Sequence, residues 1–408
     1  MFGWEFPPYQ AGGLATATVG LVKGLVRIGV DVTLVVPFPV DGSPIPGLKL
    51  VGADRGRERL VVHRIPSPLE AYGGEDRYQE VFSSTGTAAE PPRAVYGHDL
   101  FAEVERFAEV AGAIAAREPH DIIDAHDWIT FEAGARARAR SGNPLVAHIH
   151  AIEFDRTGGD GNPRIAERER RGMVTASRVV SNSRRLRRLC VDRYGIDAEK
   201  IDVVHWGVDD ETTGSLDPVW PSPFPADTPV VLFLGRLTGQ KGPDIFIEMA
   251  HRVSQFSPTA HFVVAGRGDL LPGLIHRSAE LGIADRVHFT GGIQGELVTR
   301  AFRMADVCVM PSRSEPFGLV ALESLLNGVP CVMPKNAGVA EVVNNAFKVD
   351  CWDIDELTNK VVAILKHRAL RDELRERGRA ELELPRFGLE EPARLTVAAY
   401  QKTLAASG

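Results

Sequence analysis

The sequence predicts an α/β protein with two doubly wound, Rossmann-like parallel-sheet domains and a central cleft between them. Short apolar runs alternate with amphipathic, helix-period segments from end to end, the pattern of a parallel sheet wrapped by helices. The runs fall into two sets separated by Asp217-Pro218-Val219-Trp220-Pro221-Ser222-Pro223-Phe224-Pro225-Ala226-Asp227, where four prolines forbid a continuing helix and mark a linker. With 408 residues, each half is long enough to bury a core of its own.

In the first half, strands are expected at residues 30–36, 60–65, 122–125, 145–149, 179–181 and 202–204. In the second they are expected at 230–234, 261–265, 287–290, 307–310, 329–333 and 347–349. These runs are short and largely apolar, as in strands buried on both faces. Met1-Phe2-Gly3 leads almost at once into Trp4-Glu5-Phe6-Pro7-Pro8. The strand that should open the first sheet is therefore expected to survive only as its last residues. A helical pattern runs from about residue 15 to 29, after Gly12-Gly13-Leu14. Residues 66–96, rich in Gly, Pro, Ser and Tyr with weak periodicity, read as a long loop. The domains are expected at 1–215 and 228–384, with 385–408 as a closing segment.

Composition excludes several classes. Apolar content of 44% and charged content of 25% suit a globular protein, and a formal charge of -7 gives no reason to expect nucleic-acid binding. The four cysteines (Cys190, Cys308, Cys331, Cys351) include no CxxC pair, and three lie among apolar residues. A reduced, cytoplasmic location is expected. No run reads as a signal peptide or membrane span. Nothing in the sequence sets an oligomeric state.

The most informative stretch runs from Pro311 to Glu323. It follows the apolar run Val307-Cys308-Val309-Met310 and opens a helical pattern reaching Leu326. Gly318 should lie near the helix start, where unpaired N–H groups and the positive end of the dipole favour a phosphate. Glu315 precedes that start and Glu323 follows about two turns in. Carboxylates around an anion-friendly helix end suggest a ligand with both hydroxyls and phosphates, such as a nucleotide sugar. Gly12-Gly13 suggests a second close approach of backbone to an anion, or simply a tight turn. Arg236 and Lys241 share one strand-end loop, where they could neutralise a diphosphate without a metal or be two solvated cations.

Other clusters have plainer explanations. His148 and His150 should point to the same side of their strand, so a metal pair with Glu153 is conceivable; a single hydrogen-bonding His150 at the strand tip is preferred. Asp353-Ile354-Asp355 is explained as a helix N-cap with acidic first-turn residues. Arg168, Arg170, Arg171, Arg184, Arg185, Arg187 and Arg188 form the densest basic region, a conceivable peripheral membrane contact. Interleaved Glu167, Glu169 and Asp192 favour a solvated helical face instead.

Glu315-Pro316-Phe317-Gly318…Glu323 resembles the E-x7-E motif of retaining glycosyltransferases of the GT-B fold, family 4, including the glycogen-synthase-like members. Trp4 to Leu14 resembles their amino-terminal glycine loop. His126-Asp127-Trp128, Gly207-Val208-Asp209, Gly235-Arg236-Leu237…Lys241-Gly242 and Gly266-Arg267-Gly268 fall in matching order. Residues 387–400 resemble the closing helix that crosses back to the first domain. The ordered set spans nearly the whole chain and is far more specific than E-x7-E alone.

The resemblance implies roles residue by residue. Gly12 and Gly13 would approach the donor diphosphate, and Arg236 and Lys241 would stabilise it as it departs. Glu315, Gly318 and Leu319 would hold the donor sugar and phosphate, and Glu323 the ribose. His150 would sit beside the reacting face of the sugar, with Asp127 toward the acceptor. The implied reaction moves a hexose, glucose being the first expectation, from a UDP- or ADP-sugar to a sugar-containing acceptor. It retains anomeric configuration and uses no metal or other cofactor. Three positions depart from the pattern. Gln10 stands where glucan synthases carry Lys two residues before the glycine pair, which argues against a glucan synthase. Trp206 replaces a frequent Asn, and Ala337-Gly338-Val339-Ala340-Glu341 replaces Gly-Gly-x-x-Glu. The alternatives are a non-catalytic nucleotide-sugar-binding protein and an epimerase or hydrolase of the same fold. A phosphorylase is excluded because no Lys of the second half has the context of a pyridoxal-binding residue.

Overall fold

The computed structural model describes residues 1–7, 13–38, 45–53, 100–159, 161–209, 224–225 and 227–406. The strand expected at 60–65, the loop at 66–96, Gly12 and most of the linker lie outside them. The chain divides into two compact units, Met1–Val204 with Leu389–Gly408, and His205–Gly388.

In the first unit, β1 (Val32–Val36) pairs in parallel with β2 (Leu48–Gly52), a strand the sequence pattern did not reveal. β3 (Ile123–His126), β4 (Leu145–Ile149), β5 (Arg178–Ser181) and β6 (Ile201–Val203) form a second parallel set in that order. Phe2 joins the sets by bridging in parallel to Val35 on one side and Ala125 on the other. Phe2 N–H donates to Asp124 O at 2.8 Å, and Val35 N–H donates to Met1 O at 3.0 Å. The abbreviated opening strand expected from the sequence is thus present and lies at the centre of the sheet. Phe2 and Trp4 anchor it by packing edge-on to Phe107, with centroids 6.3 and 5.5 Å away.

Helices α1 (Gly13–Arg27), α2 (Leu100–Ala115), α3 (Trp128–Ser141), α4 (Pro163–Thr175) and α5 (Arg184–Tyr194) cover this sheet. Each of α1, α2 and α4 buries an apolar stripe at helical spacing, as Leu21, Val22 and Leu25 do in α1. The closing helix of the chain (Glu390–Ala405) packs with α1, where Gly24 has no room for a side chain against the Leu389 carbonyl. The expected boundary at 215 lies earlier, at Val204/His205. Val208 N–H donates to Phe387 O at 2.8 Å, tying this segment into the second unit.

The second unit is a six-stranded parallel sheet. Its strands are β7 (Val230–Leu234), β8 (His261–Ala265), β9 (Val287–Gly291), β10 (Val307–Val309), β11 (Cys331–Pro334) and β12 (Phe347–Val349). Their spatial order is β12-β11-β10-β7-β8-β9. Helices α6 (Pro243–Phe256), α7 (Leu271–Glu280), α8 (Glu296–Met304), α9 (Leu319–Leu326), α10 (Ile354–Lys366) and α11 (Arg368–Leu382) surround it, and the closing helix becomes α12. The strand order reverses between β7 and β10, which makes the carboxyl ends of those two strands the topological switch point where ligands bind.

Asp353 caps α10 by accepting from Glu356 N–H, as expected. All four cysteines are buried and free. Among the described residues no helix is long and apolar enough to cross a membrane.

Candidate functional site

The loops after β7 and β10 meet because their strands are neighbours, with Val231 beside Val307 and Leu232 beside Cys308. Arg313 stitches the loops together. Its N–H donates to Gln240 O at 2.9 Å, and its guanidinium donates to Gly239 O at 2.9 Å and to the Asp244 carboxylate at 2.8 Å. Gly242, at φ 69°, backs onto the Pro311 carbonyl, where a Cβ would collide.

On this frame Lys241 Nζ donates to Glu315 Oε2 at 2.7 Å, and Ser312 Oγ donates to the same oxygen at 3.0 Å. Glu315 is only 4% exposed, so its carboxylate is fixed as an oriented acceptor with a cation beside it. Arg236, on the same loop as Lys241, donates to Gln240 Oε1 at 3.3 Å. Gly318 is the N-cap of α9 at φ 114°, a left-handed conformation that favours glycine. A Cβ there would also press on Met310, Glu315 and Val339, at 3.0 to 3.1 Å. Leu319 begins the helix, so its amide belongs to the first turn that lacks intrahelical partners. Glu323 lies farther along α9 and is partly exposed; desolvation pushes its carboxyl up to about 7. Its side chain has no hydrogen-bond partner among the described residues, a carboxylate pair of lone-pair sites left open. Trp206 and Phe317 meet edge-on at 5.4 Å, and His205 Nε2 is 2.9 Å from Glu341 Oε2. The departure from the family pattern at Trp206 is thus packed against this loop.

In the first unit Gly13 starts α1 in an exposed position with open space around it. His150 lies just past β4 and is held by its backbone on both sides. Asp127 Oδ1 accepts its N–H at 2.8 Å, and Asn182 Nδ2 donates to its carbonyl at 2.8 Å. Asp127 itself is buried, at a positive φ of 60° unusual for a non-glycine residue. Burial pushes its carboxyl up to about 6, against the pull of Arg156 at 3.6 Å. Asp127 thus holds the His150 backbone through Oδ1.

The metal grouping conceived from sequence also changes. His148 and His150 do share a side, their rings stacked at 5.3 Å. Glu153 belongs elsewhere, accepting Asn162 N–H at 3.0 Å and facing Arg156 at 3.5 Å. Among the described residues, the trio whose ligand atoms come within 4.8 Å of one another is Asp124, His126 and His148. In that trio the Tyr400 hydroxyl already donates to Asp124 Oδ2, and the two imidazoles lie face to face at 4.8 Å.

Sequence reasoning missed the Asp124–Tyr400 pair and a buried ionic cluster. Arg156 pairs with Glu169 at 2.8 Å, and Arg185 with Asp155 at 2.7 Å. Burial pushes Glu169 up to about 7, with Arg156 opposing. A visible signal existed: Glu169 falls on the apolar stripe of α4, between Ile165 and Met173. The densest basic region is thus partly spent inside the unit, since Arg187 also donates to Ala198 O at 2.7 Å.

Comparisons with known proteins match this geometry. Residues 11–212 match the family described as Glycosyltransferase Family 4, and residues 219–381 match Glycosyl transferases group 1. An uncharacterized glycosyltransferase of Methanocaldococcus jannaschii is 27% identical over 85% of this chain and 82% of its own length. A D-inositol 3-phosphate glycosyltransferase of Mycobacterium sp. (strain JLS) is 30% identical over 70% of this chain and 73% of its own. Sucrose-phosphate synthase from Thermosynechococcus elongatus superposes with a TM-score of 0.74 at 21% identity, covering 97% of this chain and 94% of that one. Anabaena HepE, solved with UDP and glucose, gives 0.66 at 20% identity over 98% of both chains. The two Rossmann-like units, the switch-point site and these matches together place the chain in the family 4 glycosyltransferases of the GT-B fold, enzymes that transfer a glycosyl group from a nucleotide sugar.

Proposed function

We propose that this glycosyltransferase retains anomeric configuration and moves a hexose, glucose in our reading, from UDP- or ADP-sugar to a sugar-containing acceptor without a metal ion. The observation that carries the donor assignment is the Glu323 carboxylate, half-buried yet with no hydrogen-bond partner among the described residues. Such a group is stabilised when ribose hydroxyls donate to it. The phosphates then fall toward Gly318 and Leu319 at the start of α9, with Lys241 and Arg236 as their cations. Glu315, clamped by Lys241 and Ser312, serves the sugar hydroxyls rather than attacking carbon. The departing diphosphate stays on the face where the acceptor hydroxyl attacks, so retention follows without an enzyme nucleophile. The solved complex of Anabaena HepE with UDP-glucose gives a reason to try the uridine donor first.

Incubation with UDP- and ADP-glucose, with and without oligosaccharide acceptors, tests the reaction. Nucleotide release only with acceptor is expected. Tight donor binding without turnover would make the chain a binding protein instead, and release with water alone a hydrolase. Transfer should persist in excess EDTA; loss on chelation that returns with added Mg²⁺ or Mn²⁺ would overturn the two-cation account.

Donor binding should also depend on pH through Glu323. Its folded pKa stands above the ordinary carboxyl value, so ionising it costs folding free energy. That cost is absent below about pH 4.5 and is incurred as pH rises through about 7. Ribose hydroxyls donate to the ionised form, so affinity for UDP-glucose should rise about tenfold between pH 6 and 8. Calorimetric titration would read this. Glu323→Gln should bind more weakly and flatten the dependence; an unchanged slope would remove Glu323 from the ribose.

A further inference from the structure

We propose that Asp124 and His126 are positioning residues for His150, setting which of its ring nitrogens carries the proton, with Tyr400 of the closing helix holding Asp124 in place. The proposal rests on the reading that His150 faces the donor sugar. Its basis is one buried chain of groups, all within the first unit. The Tyr400 hydroxyl donates to Asp124 Oδ2. The same oxygen faces His148 Nδ1 at 3.4 Å and His126 Nε2 at 3.5 Å. On the far side of its ring, His126 Nδ1 lies 2.8 Å from His150 Nε2. The three imidazoles are stacked, with His126 centred 5.0 Å from His150. Asp124, His126, His148 and His150 are each 5% exposed or less.

The direction of the chain follows from which atoms can donate. An ionised carboxylate only accepts, so a ring nitrogen facing it is best occupied by N–H. Burial alone would raise the Asp124 carboxyl, but the facing imidazoles of His126 and His148 hold it well below the usual range, so it is the anion of the chain. Burial lowers His126 and lowers His150 further, so both rings are neutral and the tautomer is what remains to be set. With its proton on Nε2 toward Asp124, His126 presents a lone pair at Nδ1. His150 Nε2 must then donate across the 2.8 Å contact, which makes Nδ1 the accepting atom of the His150 ring. With its backbone already clamped by Asp127 and Asn182, His150 meets a substrate as a fixed acceptor for a sugar hydroxyl.

The test is the full-length protein labelled with ¹⁵N-histidine and read by long-range proton–nitrogen correlation. We expect Nε2–H tautomers for His126 and His150, with His148 protonated at Nδ1. Asp124→Asn should shift His150 toward the Nδ1–H form and lower kcat by about tenfold while KM for the donor stays within twofold. Tyr400→Phe, a milder change, should move both readouts in the same direction by less. An Nδ1–H tautomer for His150 in the unmodified protein would overturn the proposal. So would one equivalent of zinc in the purified protein, because a metal on the Asp124–His126–His148 trio would take His126 Nε2. A tautomer shift in Asp124→Asn with unchanged kcat would overturn it as well. The spectrum needs no substrate, so it fails separately from the transferase reading.

Discussion

Lys241→Ala is expected to lower kcat/KM for transfer from UDP-glucose about a thousandfold, or about 4 kcal/mol, the upper range for loss of one preorganised group facing developing charge. The size follows from two effects of one side chain. Lys241 supplies a cation to the loop after β7, and in the proposed donor site that cation would face the negative charge that builds on the departing diphosphate. It also neutralises Glu315, which is 4% exposed and has Lys241 Nζ at 2.7 Å. Removing the ammonium leaves a buried carboxylate beside an anionic leaving group with Ser312 still on its oxygen, so the site turns repulsive as well as weaker. The decline should appear in kcat more than in KM, because the diphosphate gains charge only as the glycosidic bond breaks. Arg236→Ala, which removes the second cation, should cost at least about 2 kcal/mol by the same comparison. Steady-state kinetics against UDP-glucose decide the matter. If Lys241→Ala retains kcat within threefold, the diphosphate is neutralised elsewhere.

What sequence could and could not reveal follows from the range of the forces involved. Strands at 145–149, 230–234 and 261–265 appear where their apolar runs predict, because burial on both faces writes a nearly uninterrupted pattern. β2 escaped notice because Leu48-Lys49-Leu50-Val51-Gly52 puts an exposed Lys49 in its middle, as suits a strand at the edge of its set. The phosphate-friendly start of α9 was legible since a glycine at a helix N-cap after an apolar strand is a local signal. The Lys241–Glu315 pair was legible only as two separate charges: 74 positions part them, and adjacency of β7 and β10 brings them together. The Asp124–Tyr400 bond spans 276 positions and leaves no periodic trace. The Asp127–His150 contact was hidden as well, because sequence shows a carboxylate after one strand and a histidine at the end of the next without showing that they meet.

Gly266→Ala should destabilise the second unit by about 3 kcal/mol and weaken donor binding together with it, the upper range for forcing a methyl group into filled space. Gly266 follows β8, and a Cβ built there would overlap the carbonyl oxygen of Gly235, the residue before Arg236. No side chain can move aside, because the obstacle is backbone in the loop that carries the site. That loop is braced from the same direction: Gly235 N–H donates to Ala265 O at 3.0 Å, and Leu237 N–H to Arg267 O at 2.8 Å. Leu270 N–H returns a bond to Leu237 O at 3.1 Å. A methyl group would force these bonds apart and displace Arg236 without changing any residue of the binding set. Denaturant unfolding and calorimetric titration with UDP-glucose measure the two consequences on one sample. Gly273→Ala is the matched control, since Gly273 sits within α7 with nothing within 4 Å of an added Cβ. There the same methyl should stabilise by about 0.5–1 kcal/mol through helix propensity alone and leave donor affinity unchanged. Equal effects at the two glycines would mean that Gly266 does not brace the Arg236 loop; opposite signs are what that close approach requires.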